Sequence, residues 1–394
     1  ELTALAQIGR GHRSSGSMSS AEKDLDAKSG ADGDDEAIEQ IKSRIEAWYN
    51  VLHDRDQAWR ELQKEKQLGW DSAAVEESWR QRALALASVN RQRGVGVPST
   101  HKYVRFYLEW LPKLDPHLFD VNGPQRTFAD VGSSPGGMCE TLVATHGWVG
   151  HAFSLAVEAE GFGMSFEHGN LSYHDVDFAT PDSWRSCLAK SPPESCDFVN
   201  LGIVVDRGQS KQDDQSTDSS TDSRRNHEQT APSQVPLILF NELRYGLQAL
   251  RPGGSLYFAF QLGSNLSLLY GLLCELRPAF ECVRVTPTFA AHRTPVYVFL
   301  GVFCGRNVAA GAAALEFVER ARPDSWEWVL RLHCIQWSQG VQAMHEELAA
   351  DLHHVWGLQM DHLRQMRHDA ERKYSSGRHR KDTHSREPLG RSRW

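Results

Sequence analysis

Asp130, Gly132, Ser133, Ser134, Pro135, Gly136 and Gly137 fall within eight consecutive residues of the stretch TFADVGSSPGGMCETL, Thr127 to Leu142. A β-forming run, Thr127 to Ala129, ends at the acid, and the text beyond the double glycine reads as a helix. The glycines therefore lie in a strand-to-helix turn. Glycine accepts positive φ and lets backbone approach a ligand closely, whereas Pro135 fixes one φ in advance. The spacing is G-S-S-P-G-G, not the G-x-G-x-x-G that tucks a diphosphate against a helix N-terminus. A turn of this shape suits a bulkier ligand lying across it. Asp130, at the end of the strand, can accept a hydrogen bond from an ammonium group or an ordered water.

S-adenosylmethionine offers such an ammonium and carries no phosphate. DVGSSPGGMCETL resembles the D-x-G-x-x-P-G-G motif of FtsJ-like methyltransferases, whose better-known members methylate ribose 2′-hydroxyls of RNA. The resemblance covers roughly Thr100 to Gly305 and continues in order. WVGHAFSLAVEAEGFGM is similar to the second strand and following loop of a divergent FtsJ-like group, with Ser154 where many methyltransferases place an acidic ribose ligand. LSYHDVDF resembles the third strand and its adenine-side acid, Asp175. CDFVNLGIVVDRGQ resembles the fourth strand, with Gly202 at its end, and LQALRPGGSLYFAFQLG the following helix, turn and fifth strand. PTFAAHRTPVYVFLGVF resembles the final pair of strands. The resemblance implies an α/β fold with a Rossmann-like methyltransferase sheet of seven strands, the last antiparallel. It also implies S-adenosylmethionine as cofactor, held by Asp130, Gly132 to Gly137, Ser154, Asp175 and Gly202.

Ribose methylation needs a poor nucleophile placed in line with the sulfonium and helped to lose its proton. The family does this with a Lys-Asp-Lys-Glu set. Carried over position by position, the first lysine falls on Lys102 in STHKYVRFYLEWL, the aspartate on Gly202 and the central lysine on Gln261. The glutamate falls on Pro295 or its neighbour Thr294. Glutamine can orient a hydroxyl but is no base near neutral pH, and glycine and proline carry no charge. Two readings follow. Catalysis uses substituted groups such as Asp206, Arg207, His292 or Arg293, or the fold persists as a cofactor- or RNA-binding scaffold without turnover.

The elements that must position these residues are legible as an alternation. Phe128 to Gly132, Gly150 to Leu155, Asp197 to Val205, Ser255 to Leu262, Cys282 to Val285 and Val296 to Phe303 read as buried strands between helical stretches. That pattern argues for a layered α/β sheet with parallel pairing. The expected organisation is a disordered stretch at 1–36, a helical hairpin at 37–94 and an FtsJ-like methyltransferase domain at 95–305. A disordered insertion at 208–234 interrupts that domain; a helical region at 306–372 and a basic tail at 373–394 follow it.

In the hairpin Ile38, Ile41, Ile45, Trp48, Leu52, Trp59 and Leu62 step by threes and fours, with Arg55 breaking the seam and Asp71 as the N-cap of a second helix. This apolar seam either packs on its own domain or, within 38–90, meets a helical protein partner. In the latter case the hairpin would be the working part of an interaction protein.

The net charge of −8 across 394 residues excludes a general affinity for nucleic acid, so any polyanion site must be local. From Glu371 onward eight Lys/Arg face three Asp/Glu; such a tail holds RNA loosely, serves as a nuclear address, or is merely solvated. Seven scattered cysteines without C-x-x-C spacing read as free thiols of an intracellular protein, cytoplasmic or nuclear. No apolar run is long enough for a membrane span. HEELAADLHH, His345 to His354, lacks the second histidine of H-E-x-x-H because Ala349 stands there, and no metal is expected.

Overall fold

The structure is a computed structural model that describes residues 39–40, 42–78, 81, 100–159, 161–203, 234–262, 265–289, 295–323, 328, 332–333 and 336–384. Seven strands form one sheet: β1 Thr127–Val131, β2 Val149–Ser154, β3 Leu171–Asp175, β4 Cys196–Leu201, β5 Leu250–Gln261, β6 Phe280–Pro287 and β7 Pro295–Phe303. Their spatial order is β3-β2-β1-β4-β5-β7-β6. The first five run parallel, and β7 lies antiparallel between β5 and β6. This is the Rossmann-like methyltransferase sheet expected above, with its last strand reversed.

Every residue of β4 is buried and so are four of the five in β1, which is why both read as continuous apolar runs. Because successive side chains alternate across a strand, the sheet has two distinct faces. Phe128, Phe198, Tyr257 and Phe299 pack with Leu142, Trp148 and the buried side of helix His101–Leu114. Val131, Leu201, Leu256 and Phe258 pack on the opposite face with Leu243 and Tyr245 of helix Gln234–Ala249 and Leu269 of helix Leu266–Leu276.

The terminal helices join that second layer. A helix at 42–55 stops at Asp56, whose extended backbone and carboxylate, accepting from the Trp59 N–H at 2.9 Å, start the next helix, Gln57–Trp70. Trp48, Leu52, Trp59 and Leu62 bury their rings and branches with Leu352, Val355 and Trp356 of the long helix Gln339–His384. The Trp59 and Trp356 rings lie 5.3 Å apart. Trp48, Leu52, Trp59 and Leu62 of the apolar seam are thus covered by the chain's own C-terminal helix. The break falls at Asp56, where Arg55 had already interrupted the periodicity. Asp71 ends Gln57–Trp70 as its C-cap, and the Ser72 hydroxyl accepts from Val75 at the start of the short helix at 73–78. The long helix is tied to β6 by Arg284, which reaches both Asp351 oxygens at 2.8 and 2.9 Å. It continues to His384, into the segment read as a tail. Residues 1–36 and all but the last residue of 208–234 lie outside the described residues.

Candidate functional site

The chain crosses from β3 back to the other side of β1 to make β4, so the strand order reverses between β1 and β4. In open α/β sheets a ligand crevice opens beyond the carboxyl ends of the strands at such a reversal. Asp130, Ser154, Asp175 and Gly202 all stand at the carboxyl ends of β1 to β4 or one residue beyond. Ser154 and Asp175 are register partners across β2 and β3.

Asp130 shares the face of Phe128 and is fully buried. Asn200, its register partner on β4, donates from Nδ2 to Oδ1 at 2.6 Å, and Cys139 donates from Sγ to Oδ2 at 3.1 Å. Burial raises the Asp130 carboxyl to about 6, against the opposing pull of those two donors. The acid therefore anchors the turn from beneath.

The glycines of the turn have separate reasons. Gly132 has φ +73°, and a Cβ there would sit 2.8 Å from the Ile203 nitrogen and 2.9 Å from the Gly202 carbonyl carbon. Its N–H donates to Phe153 O at 2.8 Å, while Gly202 N–H donates to Val131 O at 2.8 Å. Loop and strand end meet here backbone to backbone. Gly136 has φ +109°, and its missing Cβ would lie 3.1 Å from Met164 Cε and 3.2 Å from Phe166 Cβ. The Ser165 N–H and hydroxyl both donate to Pro135 O, at 3.0 and 2.8 Å. A segment after β2 therefore roofs the turn. A Cβ on Gly137 would overlap Tyr103 of the preceding helix. Ser133 donates its N–H to Phe153 O at 3.2 Å.

Two buried acceptors near the turn remain unused. The Ser134 hydroxyl and Asn200 Oδ1 have no well-formed hydrogen bond. Burial, then the neighbouring Asp175 carboxylate, pushes the Tyr173 phenol up to about 12, with Ser134 acting in the opposite direction. Hydroxyl and amide acceptors beside the turn, with Ser154 and Asp175 on the adjoining strands, form a donor and acceptor set that fits an adenosyl amino acid. Among the described residues no group of three His, Cys, Asp or Glu side chains is placed to hold a metal ion.

The positions carried over for proton transfer are less well equipped. Gln261 and Pro295 are direct register partners across β5 and β7, so the two strand positions do come together, without an acid or a base. A Cβ on Gly202 would meet Asn200 Nδ2 at 3.0 Å, leaving little room for a carboxylate at that site. Lys102 is exposed, with Nζ 4.7 Å from the Phe289 ring centroid and 4.8 Å from that of Tyr103. Asp206, Arg207, His292 and Arg293 lie outside the described residues.

Sequence reasoning overlooked two polar residues. Asn200 was visible as the lone amide in the otherwise apolar end of CDFVNL. Glu242 was hidden within a helix: it is buried, accepts from the Ile203 N–H at 3.0 Å, and burial raises its carboxyl well above the ordinary range despite that bond. Behind Asp130 the Tyr107 and Tyr297 hydroxyls bond at 3.0 Å.

No protein-family model matches the chain, and no curated protein matches it. Among solved structures it is similar to a Plasmodium falciparum protein assigned as a ribosomal RNA methyltransferase, at 16% identity and a TM-score of 0.34, over 52% of this chain and 97% of the other. It is also similar to the tRNA (m1A58) methyltransferase TrmI of Aquifex aeolicus, at 11% identity and a TM-score of 0.30, over 52% and 76% of the two chains. A third likeness is to MycE, a methyltransferase of mycinamycin biosynthesis solved with Mg and SAH, at 13% identity and a TM-score of 0.29, over 59% and 58%. Likeness at this level carries no argument about substrate or residue roles. Strand order and direction identify the fold by themselves.

Proposed function

We propose that this chain is an S-adenosylmethionine-dependent methyltransferase of FtsJ-like type, with RNA as its substrate and a ribose 2′-hydroxyl as methyl acceptor. One observation carries the reading: the D-x-G-x-x-P-G-G turn, Ser154, Asp175 and Gly202 converge on the carboxyl edge of the sheet where the strand order reverses. The working unit is 95–305, with the terminal helices as its support.

The cofactor supplies an electrophilic methyl group when bound. Around it, Ser154 and Asp175 would hold the adenosine side, and the Ser134 hydroxyl with Asn200 Oδ1 would accept from the ammonium. Gly132 and Gly136 let the turn pack closely on Gly202 and Ile203 and on Met164 and Phe166, and Asp130 fixes the turn through Asn200 and Cys139. Gln261 would orient the attacking hydroxyl. Acceleration then comes from positioning. Calorimetric titration with S-adenosylmethionine and S-adenosylhomocysteine tests the site, and label transfer from methyl-labelled cofactor to total RNA tests the chemistry. Absence of binding to either nucleoside would sink the assignment.

A second reading, a cofactor- and RNA-binding scaffold without turnover, is favoured by the Gln261–Pro295 pair, which stands where a lysine and a glutamate would be needed. Binding without label transfer would select it.

A further inference from the structure

We propose that Lys102, Tyr103 and Phe289 form a stacking platform for an unpaired base of single-stranded RNA, with the adjoining face of helix His101–Leu114 receiving its phosphates. The proposal rests on the RNA reading above and gives it a location. Phe289 follows the end of β6 and is 41% exposed, a costly place for a phenyl ring without a partner. It meets Tyr103 edge-on at 4.5 Å between centroids, and the Lys102 ammonium lies 4.7 Å from the centre of its ring. A cation against an exposed aromatic ring offers an attractive π surface to a base and a charge to the phosphate beside it.

The surroundings favour the same occupant. Helix His101–Leu114 carries Lys102, Arg105 and Lys113 against a single acid, Glu109, on a chain whose net charge is −8. Glu109 is engaged by Lys113 at 3.0 Å. A shallow groove beside the platform is lined by His101, Val104, Arg105, Leu108 and Glu109. Tyr103 also abuts Gly137, so the platform is continuous with the candidate cofactor turn. A strand laid along this helix would pass the turn with one base held on Phe289. Duplex RNA stacks its bases internally and has no free face to offer, so the surface selects single strands.

The test is fluorescence anisotropy of the full chain with a 5′-fluorescein-labelled single-stranded RNA decamer of mixed sequence, and with the same strand annealed to its complement. Phe289→Ala should weaken single-strand binding about tenfold, and Phe289→Trp should stay within about twofold of wild type. Arg105→Glu, at an exposed position on the same helix, should weaken binding and make its loss with salt shallower. Calorimetric affinity for S-adenosylmethionine should be the same in wild type and Phe289→Ala, which separates this surface from the cofactor site. Wild-type affinity in Phe289→Ala, equal affinity for duplex and single strand, or no RNA binding by the wild-type chain would each overturn the platform. In the last case unchanged cofactor binding would leave the methyltransferase fold reading standing. A lowered melting temperature in Phe289→Ala would pass the test to Arg105→Glu, where undiminished binding would be equally fatal.

Discussion

Asp56 and Asp130 are both buried, and they are treated in opposite ways. Asp56, between the two N-terminal helices, accepts from the Trp59 N–H and from Nε2 of both His345 and His353, at 2.9, 3.1 and 2.7 Å. Nδ1 of the His345 ring lies 2.6 Å from the Tyr270 hydroxyl. Burial alone would raise the Asp56 carboxyl, yet the bonds from His345, His353 and Trp59 outweigh it and hold the group well below the usual carboxylate range. Asp130 has only an amide and a thiol as donors, and burial wins, leaving it near 6. The first carboxylate is a clasp that closes the terminal helices on the sheet. The second lies under a turn whose neighbours, Ser134 and Asn200, still have unused acceptors.

The contrast can be broken most forcibly at the clasp. Asp56→Ala removes a helix cap and strands two histidines, and should cost about 3 kcal/mol of unfolding free energy at pH 7. Asp56 is depressed in the folded state, so its contribution is present above the ordinary value of 3.8 and is lost as pH falls below it. Urea unfolding at pH 7 and pH 3 should show the gap between wild type and variant closing in acid. A gap of the same size at both values would mean that the clasp does not depend on charge.

At the turn the expected losses are smaller in stability but decisive for binding. Gly136→Val places a β-branched residue at φ +109° and presses on Met164 and Phe166. It should cost about 2 kcal/mol in stability and abolish S-adenosylmethionine binding in calorimetry. Retained binding would remove the cofactor from this turn.

Asp130→Asn sharpens the difference in sign between the two acids. The raised folded value means that the stabilisation from neutral Asp130 is full below the ordinary 3.8 and disappears as pH rises through about 6. The amide does not ionise. From pH 4 to pH 8 the melting temperature of the variant should therefore gain a few degrees on wild type, the reverse of the trend at Asp56. Parallel melting curves across that range would show that Asp130 is ionised without cost.

The smallest effect is expected at the reaction positions. Gln261→Lys places a base where the resemblance to FtsJ-like methyltransferases would put one, but Gly202 and Pro295 supply no acid to tune it. Its methyl-transfer rate on RNA should rise less than about tenfold, roughly 1.4 kcal/mol of barrier. A gain of two orders of magnitude or more would show that an acid close to Gln261 has been overlooked and would dismiss the scaffold reading.

Much of this architecture could be read from residues near one another in the chain. The runs that became β1, β4, β5 and β7 were legible because most of their side chains on both faces are buried, which leaves a largely apolar string in each. The edge strand β3 leaves three of its five side chains exposed, and LSYHD carries no such string; only its resemblance to a known third strand marked it. The glycine turn was legible from its own chemistry, though the reason for each glycine was not. Gly137 lacks a side chain because of Tyr103, and Gly132 because of Gly202 and Ile203, all remote in sequence.

The sequence by itself determined periodicity and turn chemistry, since each is written within a few residues. Tertiary structure alone decided which helix covers the N-terminal seam, which amide holds Asp130, and that His345 and His353 meet Asp56. Those choices join residues 70 positions apart at Asp130 and Asn200, and 289 and 297 apart at Asp56 and its histidines. A pairing across such distances leaves no local pattern in either segment, because it is set by how the sheet and helices stack rather than by the preference of any stretch for its own conformation.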